Sequence, residues 1–233
     1  FVARSASAVP LHLMTAKGLG PWTKTQPARI KVMVDAAGFR GDTGKALLVH
    51  GAGGELESVL VGLGEGTDGF ALASLPGSLP AGDYALTEIP GGLDGETLAI
   101  GWADGAYKFT RYKAGEKPRR LLLPKSVDAA EVSRQAEAID WLRDLVNTPP
   151  CDLGPVEIAA EAQALAKEFG AEIEITTGKA LESGYPMVHA VGKGAVQAPR
   201  YIEISWGKAK APVIALVGKG VAFDTGGLNL KTS

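Results

Sequence analysis

The first half of the chain alternates short apolar runs with glycine-rich polar turns, a pattern typical of β-strands joined by tight connections. Four apolar runs predict strands, at residues 30–34, 46–49, 58–61 and 97–100. A short helix is predicted at 71–75, because Pro76 and Pro80 would prevent its continuation. Residues 1–124 are therefore predicted to form a strand-rich α/β amino-terminal domain.

Near residue 128 the apolar residues begin to recur at steps of three and four, which indicates a helix. Asp128 followed by Glu131 is typical of a helix start, and Pro149 and Pro150 cannot continue a helix beyond Asn147. We interpret residues 125–148 as a connecting helix. Residues 149–233 would then be the start of a second α/β domain.

Beyond residue 149 the pattern alternates between helix and strand. A helix is predicted from Pro155 to Gly170, strands at 172–176 and 201–206, and a helical turn at 179–183. The run at 212–217 is apolar on both faces, which favours a central strand of a parallel sheet covered by helices. The predicted fold class is α/β, with a mixed or parallel sheet in this second domain.

Composition and charge narrow the function classes. Apolar residues make up 45% and charged residues 21% of the 233 residues, which is typical of a globular protein and excludes a disordered or fibrous one. The net charge of −2 argues against a basic surface for nucleic acid or for anionic lipid. Apolar runs are all shorter than a membrane-spanning helix requires, so no membrane association is expected.

Cysteine and histidine are too scarce for two common kinds of site. Cys151 is the single cysteine, and the histidines are His12, His50 and His189. No internal disulfide and no zinc cage of histidines and cysteines can be built from this set. A reducing, cytoplasmic compartment is expected. We interpret His189 as a hydrogen-bonded core residue rather than a ligand.

The richest candidate chemistry lies in residues 217–233, which leave the predicted central strand through a glycine-rich turn. Lys219, Asp224 and Lys231 are the charged residues of this otherwise apolar and small-residue segment. Ligands of open α/β sheets bind beyond the carboxyl ends of strands, and a lysine there is disfavoured by desolvation unless a site uses its amine. The alternative is structural: Lys219 extends to the sheet edge and Asp224 caps a turn.

Other catalytic motifs fit less well. Residues 64–69 match G-x-G-x-x-G, but Pro76 and Pro80 oppose the helix that should follow. Asp-Thr-Gly occurs at 42–44 and 224–226, which raises the hypothesis of a protease with two carboxylates sharing a proton. The first copy, however, lies in a polar stretch typical of a turn.

Residues 217–233 resemble the metal-binding loop of the leucyl aminopeptidase (cytosol aminopeptidase) family. Other segments resemble the same family in the same order, namely Gly101-Trp-Ala-Asp-Gly-Ala-Tyr-Lys-Phe109, Arg143-Asp-Leu-Val-Asn-Thr-Pro-Pro150, Met187-Val-His-Ala-Val-Gly-Lys-Gly194 and Pro199-Arg-Tyr-Ile-Glu-Ile-Ser-Trp206. The resemblance implies that the second domain is a metallopeptidase catalytic domain.

The resemblance further implies an aminopeptidase that releases leucine-like amino-terminal residues from peptides through a water activated by two divalent metal ions, Zn or Mn. Lys219 would bind metal through a neutral amine and Asp224 would bridge both ions. Lys231 would be the catalytic cation beside the scissile carbonyl. A cytoplasmic homohexamer is implied as well.

The family's further ligands lie in a segment reading Asn-Thr-Asp-Ala-Glu-Gly-Arg, which is not among these 233 residues. This chain is therefore expected to hold part of the site and to be inactive alone. Two alternatives are a non-catalytic assembly subunit and a DNA-binding accessory subunit. Should the ligands lie within the chain, Asp94, Asp104 and Glu203 are the candidates.

Overall fold

The computed structural model describes residues 1–222 of the chain. The chain divides into two compact units, the first comprising Phe1–Asp144 and the second beginning at Leu145. The first unit contains a mostly parallel five-stranded sheet and the second a small two-stranded sheet, each packed with helices. The predicted α/β class is confirmed.

The first unit carries its sheet in the strand order β2-β3-β1-β4-β5. Only β2 runs antiparallel to its neighbour, whereas β3, β1, β4 and β5 are parallel. The elements in chain order are β1 (Val9–Thr15), α1 (Ala16–Lys24), α2 (Ala28–Ala36), β2 (Ala46–His50), β3 (Leu56–Gly64), α3 (Leu75–Ser78), β4 (Gly82–Leu86), α4 (Gly95–Ala106), β5 (Arg119–Leu122) and α5 (Ala129–Asn147).

Apolar clusters cover both faces of the central strands of this sheet. Leu11 and Leu13 of β1 join a cluster that includes Trp102 of α4, whereas Met14 joins a cluster with Leu19 of α1. Successive residues of a strand point to opposite faces, so a strand covered on both faces needs a continuous apolar run. The predicted strands at 46–49 and 58–61 are confirmed as β2 and β3.

Two other predicted strands are wrong, because 30–34 and 97–100 lie in helices α2 and α4. Ile30 and Val34 are four residues apart and are both buried on one side of α2. The α4 helix begins where Asp94 accepts a hydrogen bond from the backbone N–H of Thr97. A short apolar run fits either period, and tertiary burial decides between them.

The short helix predicted at 71–75 is also misplaced. Residues 70–74 form turns, and the helix α3 is Leu75–Ser78. Pro76 lies in the first turn of α3, where its missing N–H would have had no helical partner. The prediction treated this proline as a stop signal, whereas the structure uses it as a start. Strands β1, β4 and β5 were not among the predicted elements.

The helix predicted within 125–148 is confirmed as α5, which spans Ala129–Asn147. The carboxylate of Asp128 accepts hydrogen bonds from the backbone N–H groups of Ala130 and Glu131 at 3.0 and 3.1 Å, which satisfies free donors of the first turn. Helix α5 ends at Asn147, two residues before Pro149. The helix runs across the division between the two units, which follows Asp144.

The second unit consists of α6 (Pro155–Phe169), β6 (Glu172–Thr176), α7 (Gly178–Gly184), α8 (Pro186–Gly192) and β7 (Tyr201–Ser205). Pro155 starts α6 and Gly170 ends it in the left-handed conformation with φ 63°, as predicted. Strands β6 and β7 are confirmed, but they pair with each other in antiparallel register, Glu174 opposite Glu203. Helix α6 packs against both strands.

The predicted central strand at 212–217 is wrong for the structure described. These residues have no regular secondary structure, and Val213 and Leu216 are 91% and 94% exposed. A strand requires a neighbour for its backbone hydrogen bonds, and among residues 1–222 no strand pairs with this segment. In the described part of the second unit the sheet is therefore antiparallel, not parallel.

Candidate metal centre

Of the three predicted site residues, the structure describes Lys219. It lies in the irregular segment that follows β7, and its side chain is exposed. The expected position of Lys219 at the end of a buried strand is therefore wrong for the described structure. Asp224 and Lys231 lie outside the described residues, so their predicted roles stay predictions.

The residues present were compared with what a divalent ion requires. Within residues 1–222, no group of three or more histidine, cysteine, aspartate or glutamate side chains is placed to hold a metal ion. A lysine amine and a single carboxylate are suitable donors in kind, but they are too few for two ions. The described residues therefore do not make up a metal site by themselves.

The alternative carboxylates in the first unit are engaged in structural contacts. Asp94 caps α4, where its Oδ2 accepts hydrogen bonds from the Thr97 hydroxyl and N–H at 2.6 and 2.9 Å. These bonds, the side-chain one foremost, lower the pKa of Asp94. Asp104 pairs with Arg143 at 2.6 Å. Both carboxylates therefore have structural roles at the two ends of α4.

The alternative carboxylate in the second unit lies on a strand face. Glu203 of β7 is directly opposite Glu174 of β6, and both side chains are exposed. This agrees with the prediction that the glutamates of these strands form their polar face. A pair of facing glutamates without a third ligand does not constitute a metal site.

The histidine and cysteine of the second unit also give no site. His189 lies on α8, which has no buried residue, and its Nε2 is 4.0 Å from the Glu182 carboxylate. The interpretation of His189 as a core residue is therefore wrong. Its side chain is 30% exposed because α8 packs mainly on α7. Cys151 is exposed and forms no disulfide.

The rival motifs of the first unit form turns. Asp42 accepts a backbone hydrogen bond from Lys45 at 3.1 Å in an exposed turn, and Gly44 there has φ 75°. This confirms the prediction that the first Asp-Thr-Gly sequence forms a turn. Residues 65–70 likewise form turns, in which Asp68 accepts from the N–H of Phe70, and no helix begins there to hold a dinucleotide.

A polar cluster ties the segment before β7 to the start of α6. The Gln197 side chain accepts a hydrogen bond from the N–H of Val156 at 3.0 Å and donates one to Glu157 at 3.1 Å. Glu157 also accepts from the N–H of Gly154 at 2.9 Å. The bond from Gln197 is the largest of the causes that lower the pKa of Glu157. This cluster fixes residues 154–157 against Gln197, in the segment that leads into β7.

Two family profiles together match most of the chain. The sequence profile of the M17 aminopeptidase N-terminal domain matches residues 9–124, and that of the cytosol aminopeptidase family catalytic domain matches residues 140–233. The chain belongs to the M17 cytosol aminopeptidase family. The family resemblance seen in the sequence is thus confirmed.

Relatives from several bacteria support this assignment. A probable cytosol aminopeptidase of Rhodococcus jostii is 39% identical over 158 residues, which is 60% of this chain and 31% of the relative. One from Streptomyces avermitilis is 30% identical over 94% of this chain and 50% of its own length. The chain thus spans at most about half the length of these relatives.

Solved structures share the fold. The crystal structure of cytosol aminopeptidase from Coxiella burnetii matches 90% of this chain and 46% of its own, at 31% identity and a TM-score of 0.83. The bottromycin maturation enzyme BotP in complex with Mn matches 88% of this chain and 46% of its own, at 23% identity and a TM-score of 0.71. Among the described residues, no helix is both long and apolar enough to cross a membrane.

Proposed function

We propose that this protein acts as a metal-dependent aminopeptidase on peptides. The observation that carries the proposal is the order of the two family profiles, which together match residues 9–124 and 140–233. The similarity to a cytosol aminopeptidase at a TM-score of 0.83 supports the same function. The exposed Lys219 lies in the part matched by the catalytic profile, in a segment accessible to ligand.

We assign the roles within residues 217–233 as follows. Lys219 and Asp224 would be metal ligands, the lysine as a neutral amine and the aspartate as a bridge between two ions. When bound, two divalent ions, Zn or Mn, supply the acidity that makes water a nucleophile near neutral pH. Lys231 stays protonated and stabilises the negative charge that develops on the scissile carbonyl oxygen. BotP, a neighbour in fold, is described with Mn.

Several finer features belong to the same proposal. Leucine-like amino-terminal residues are the preferred substrates, and the protein is a cytoplasmic homohexamer without nucleic acid or membrane partners. The name cytosol aminopeptidase, given to the relatives, supports the compartment. The domains are 1–124, the connecting helix 125–148, and the catalytic part from 149 onward.

The test uses the complete gene product and a leucine amide substrate. We expect hydrolysis at neutral to alkaline pH, its loss on chelation, and its recovery when Zn or Mn is restored, because a lysine amine binds metal only when deprotonated. Activity that peaks in acid and survives a strong chelator would contradict the proposal and would support two carboxylates sharing a proton.

Three variants separate the roles within the loop. Asp224→Ala should remove bound metal and activity together. Lys231→Ala should keep metal content near normal and lower kcat by roughly 100-fold or more, since its contact is made in the transition state. Lys208→Ala, at an exposed lysine upstream in the same irregular region, is the matched control and should change neither. Equal metal loss in the Asp224 and Lys231 variants would refute the assignment.

A further inference from the structure

The two halves of α5 are held in different ways. In the first half, Val132 and Ala136 are buried, and Val132 packs with Ala99 of α4 and with Val127. In the second half no residue is fully buried, although Ile139 and Leu145 are half-buried. Three apolar side chains there are exposed by 37%, 58% and 76%, namely Trp141, Leu142 and Val146. Burial of apolar surface therefore contributes less to the position of the second half than to that of the first.

Arg143 connects the second half of α5 to the last turn of α4. Its Nη1 donates hydrogen bonds to the backbone carbonyl and to the Oδ1 of Asp104, at 2.8 and 2.6 Å. The carbonyls of a last turn have no helical donor, and the negative end of the helix dipole attracts a cation. Arg143 therefore acts as a carboxyl-terminal cap for α4 from 39 residues away.

Tyr107 supplies the other half of the contact. The guanidinium carbon of Arg143 lies 4.0 Å from the centre of the Tyr107 ring, a cation–π distance. The hydroxyl of Tyr107 donates a hydrogen bond to Asp144 at 2.7 Å. Two consecutive residues of α5 thus hold Asp104 and Tyr107, which lie at the end of α4. We call these four residues the α4–α5 clamp.

The clamp joins two of the segments that carry the family resemblance, 101–109 and 143–150, and the proposed chemistry uses neither. Its charged groups are accessible: the side chains of Arg143 and Asp104 are 37% and 48% exposed. Such a pair is weakened by salt, whereas the buried contacts of Val132 are not. The clamp contacts of the second half are thus polar and screenable, whereas Val132 and Ala136 anchor the first half by apolar burial.

We propose that the α4–α5 clamp is a releasable device. When the clamp opens, residues 138–144 separate from α4 as a local unit while the first half of α5 and the sheet stay folded. Arg143 is the central positioning residue, because it contacts both Asp104 and Tyr107. The proposal concerns the first unit and does not rest on the peptidase activity.

Hydrogen exchange of the complete protein, measured peptide by peptide, tests this proposal. Arg143→Gln should raise the exchange rate of residues 138–144 roughly five- to twentyfold, the loss expected for partly exposed charge-assisted bonds. Exchange of β1 and β3 should stay unchanged. The matched control is Arg134→Gln on the same helix, because Arg134 pairs with Glu131 of α5 and not with α4.

Two further measurements separate release from general destabilisation. Tyr107→Phe removes the bond to Asp144 but keeps the ring under Arg143, so its effect should be smaller and confined to the same residues. Raising NaCl from about 0.05 to about 1 M should speed exchange of residues 138–144 in the natural protein and have little effect in Arg143→Gln.

Three results would overturn the proposal. Unchanged exchange in Arg143→Gln would mean that the clamp holds nothing. Faster exchange throughout the first unit, with a lower midpoint of thermal unfolding, would make Arg143 part of the global fold instead. An equal local effect of Arg134→Gln would assign the change to helix propensity.

Discussion

The two units of the chain differ in where their apolar side chains lie. Tyr84 and Trp102 of the first unit are 1% and 2% exposed and contact each other at 5.6 Å between ring centres. Trp206 of the second unit is 76% exposed and is anchored by one hydrogen bond, from its Nε1 to the carbonyl of Phe169. Helices cover both faces of the first sheet, whereas α6 packs against the strands of the second.

The residues that stabilise the fold and the candidate site residue Lys219 therefore lie in different units. The three apolar clusters found in residues 1–222 all lie in the first unit, which the proposed reaction does not use. The candidate ligand Lys219 lies in an exposed, irregular part of the second unit. We therefore expect substitutions in the first unit to change the free energy of unfolding, and substitutions near Lys219 to change function without changing stability.

The largest effect is expected in the core of the first unit. Leu98→Ala should lower the free energy of unfolding by about 2–5 kcal/mol, because the side chain is fully buried in α4. Leu216→Ala, at a side chain 94% exposed, should change it by less than about 0.5 kcal/mol. Urea unfolding followed by circular dichroism measures both, and similar losses would remove the contrast between the units.

A second prediction concerns the close approach of α4 to the turns before α3. A Cβ on Gly105 would lie 1.8 Å from the backbone carbonyl oxygen of Ala73, so Gly105→Ala should cost about 1–3 kcal/mol by forcing the backbones apart. Gly77→Ala is the control, since nothing lies within 4 Å of its Cβ position. Thermal unfolding should show a lower midpoint for the first variant only.

A third prediction addresses the second unit. Gln197→Ala removes the acceptor for the N–H of Val156 and the donor to Glu157, so unfolding of this unit should become easier by about 1 kcal/mol. Gln163→Ala, at an exposed position of α6, is the control. Hydrogen exchange of α6 reports the effect. An unchanged first turn of α6 would mean that the cluster at 154–157 does not stabilise the unit.

The smallest effect is a pH dependence in the first unit. Burial, the largest cause, raises the pKa of Asp140; Arg143 lowers it, and nearby carboxylates raise it further. A carboxyl whose pKa is higher in the folded state stabilises the fold at acidic pH, and that contribution is lost as pH rises through the folded pKa. Asp140→Asn should therefore be more stable than the natural protein at neutral pH, and the difference should vanish in acid.

Asp94 should give a pH dependence of stability opposite in sign to that of Asp140. Hydrogen bonds from Thr97 lower its pKa, so its contribution is present above the unfolded pKa and is lost as pH falls through the folded one. Asp94→Ala should be less stable than the natural protein at neutral pH and approach it in acid. Unfolding midpoints measured across this range check both signs. A common sign for the two variants would contradict the burial argument for Asp140.

Local signals determined much of the fold. Asp128 and the prolines after Asn147 bounded α5, while Pro155 and Gly170 bounded α6, because caps and stops act through atoms a few residues apart. The alternation in β6 and β7 predicted two strands with a polar face. The site, in contrast, was predicted through family resemblance, since no spacing of Lys219, Asp224 and Lys231 specifies two metals by itself.

Contacts between distant residues decided the rest. Residues 30–34 and 97–100 have β-like composition, yet helices bury them better against the sheet. Whether 212–217 forms a strand depends on a partner strand, which the pattern of the segment cannot supply. The contact between Arg143 and Asp104 joins residues 39 positions apart, and nothing in either local sequence indicates it. Secondary-structure limits are set by neighbouring atoms, whereas burial and pairing depend on which surfaces the whole chain brings together.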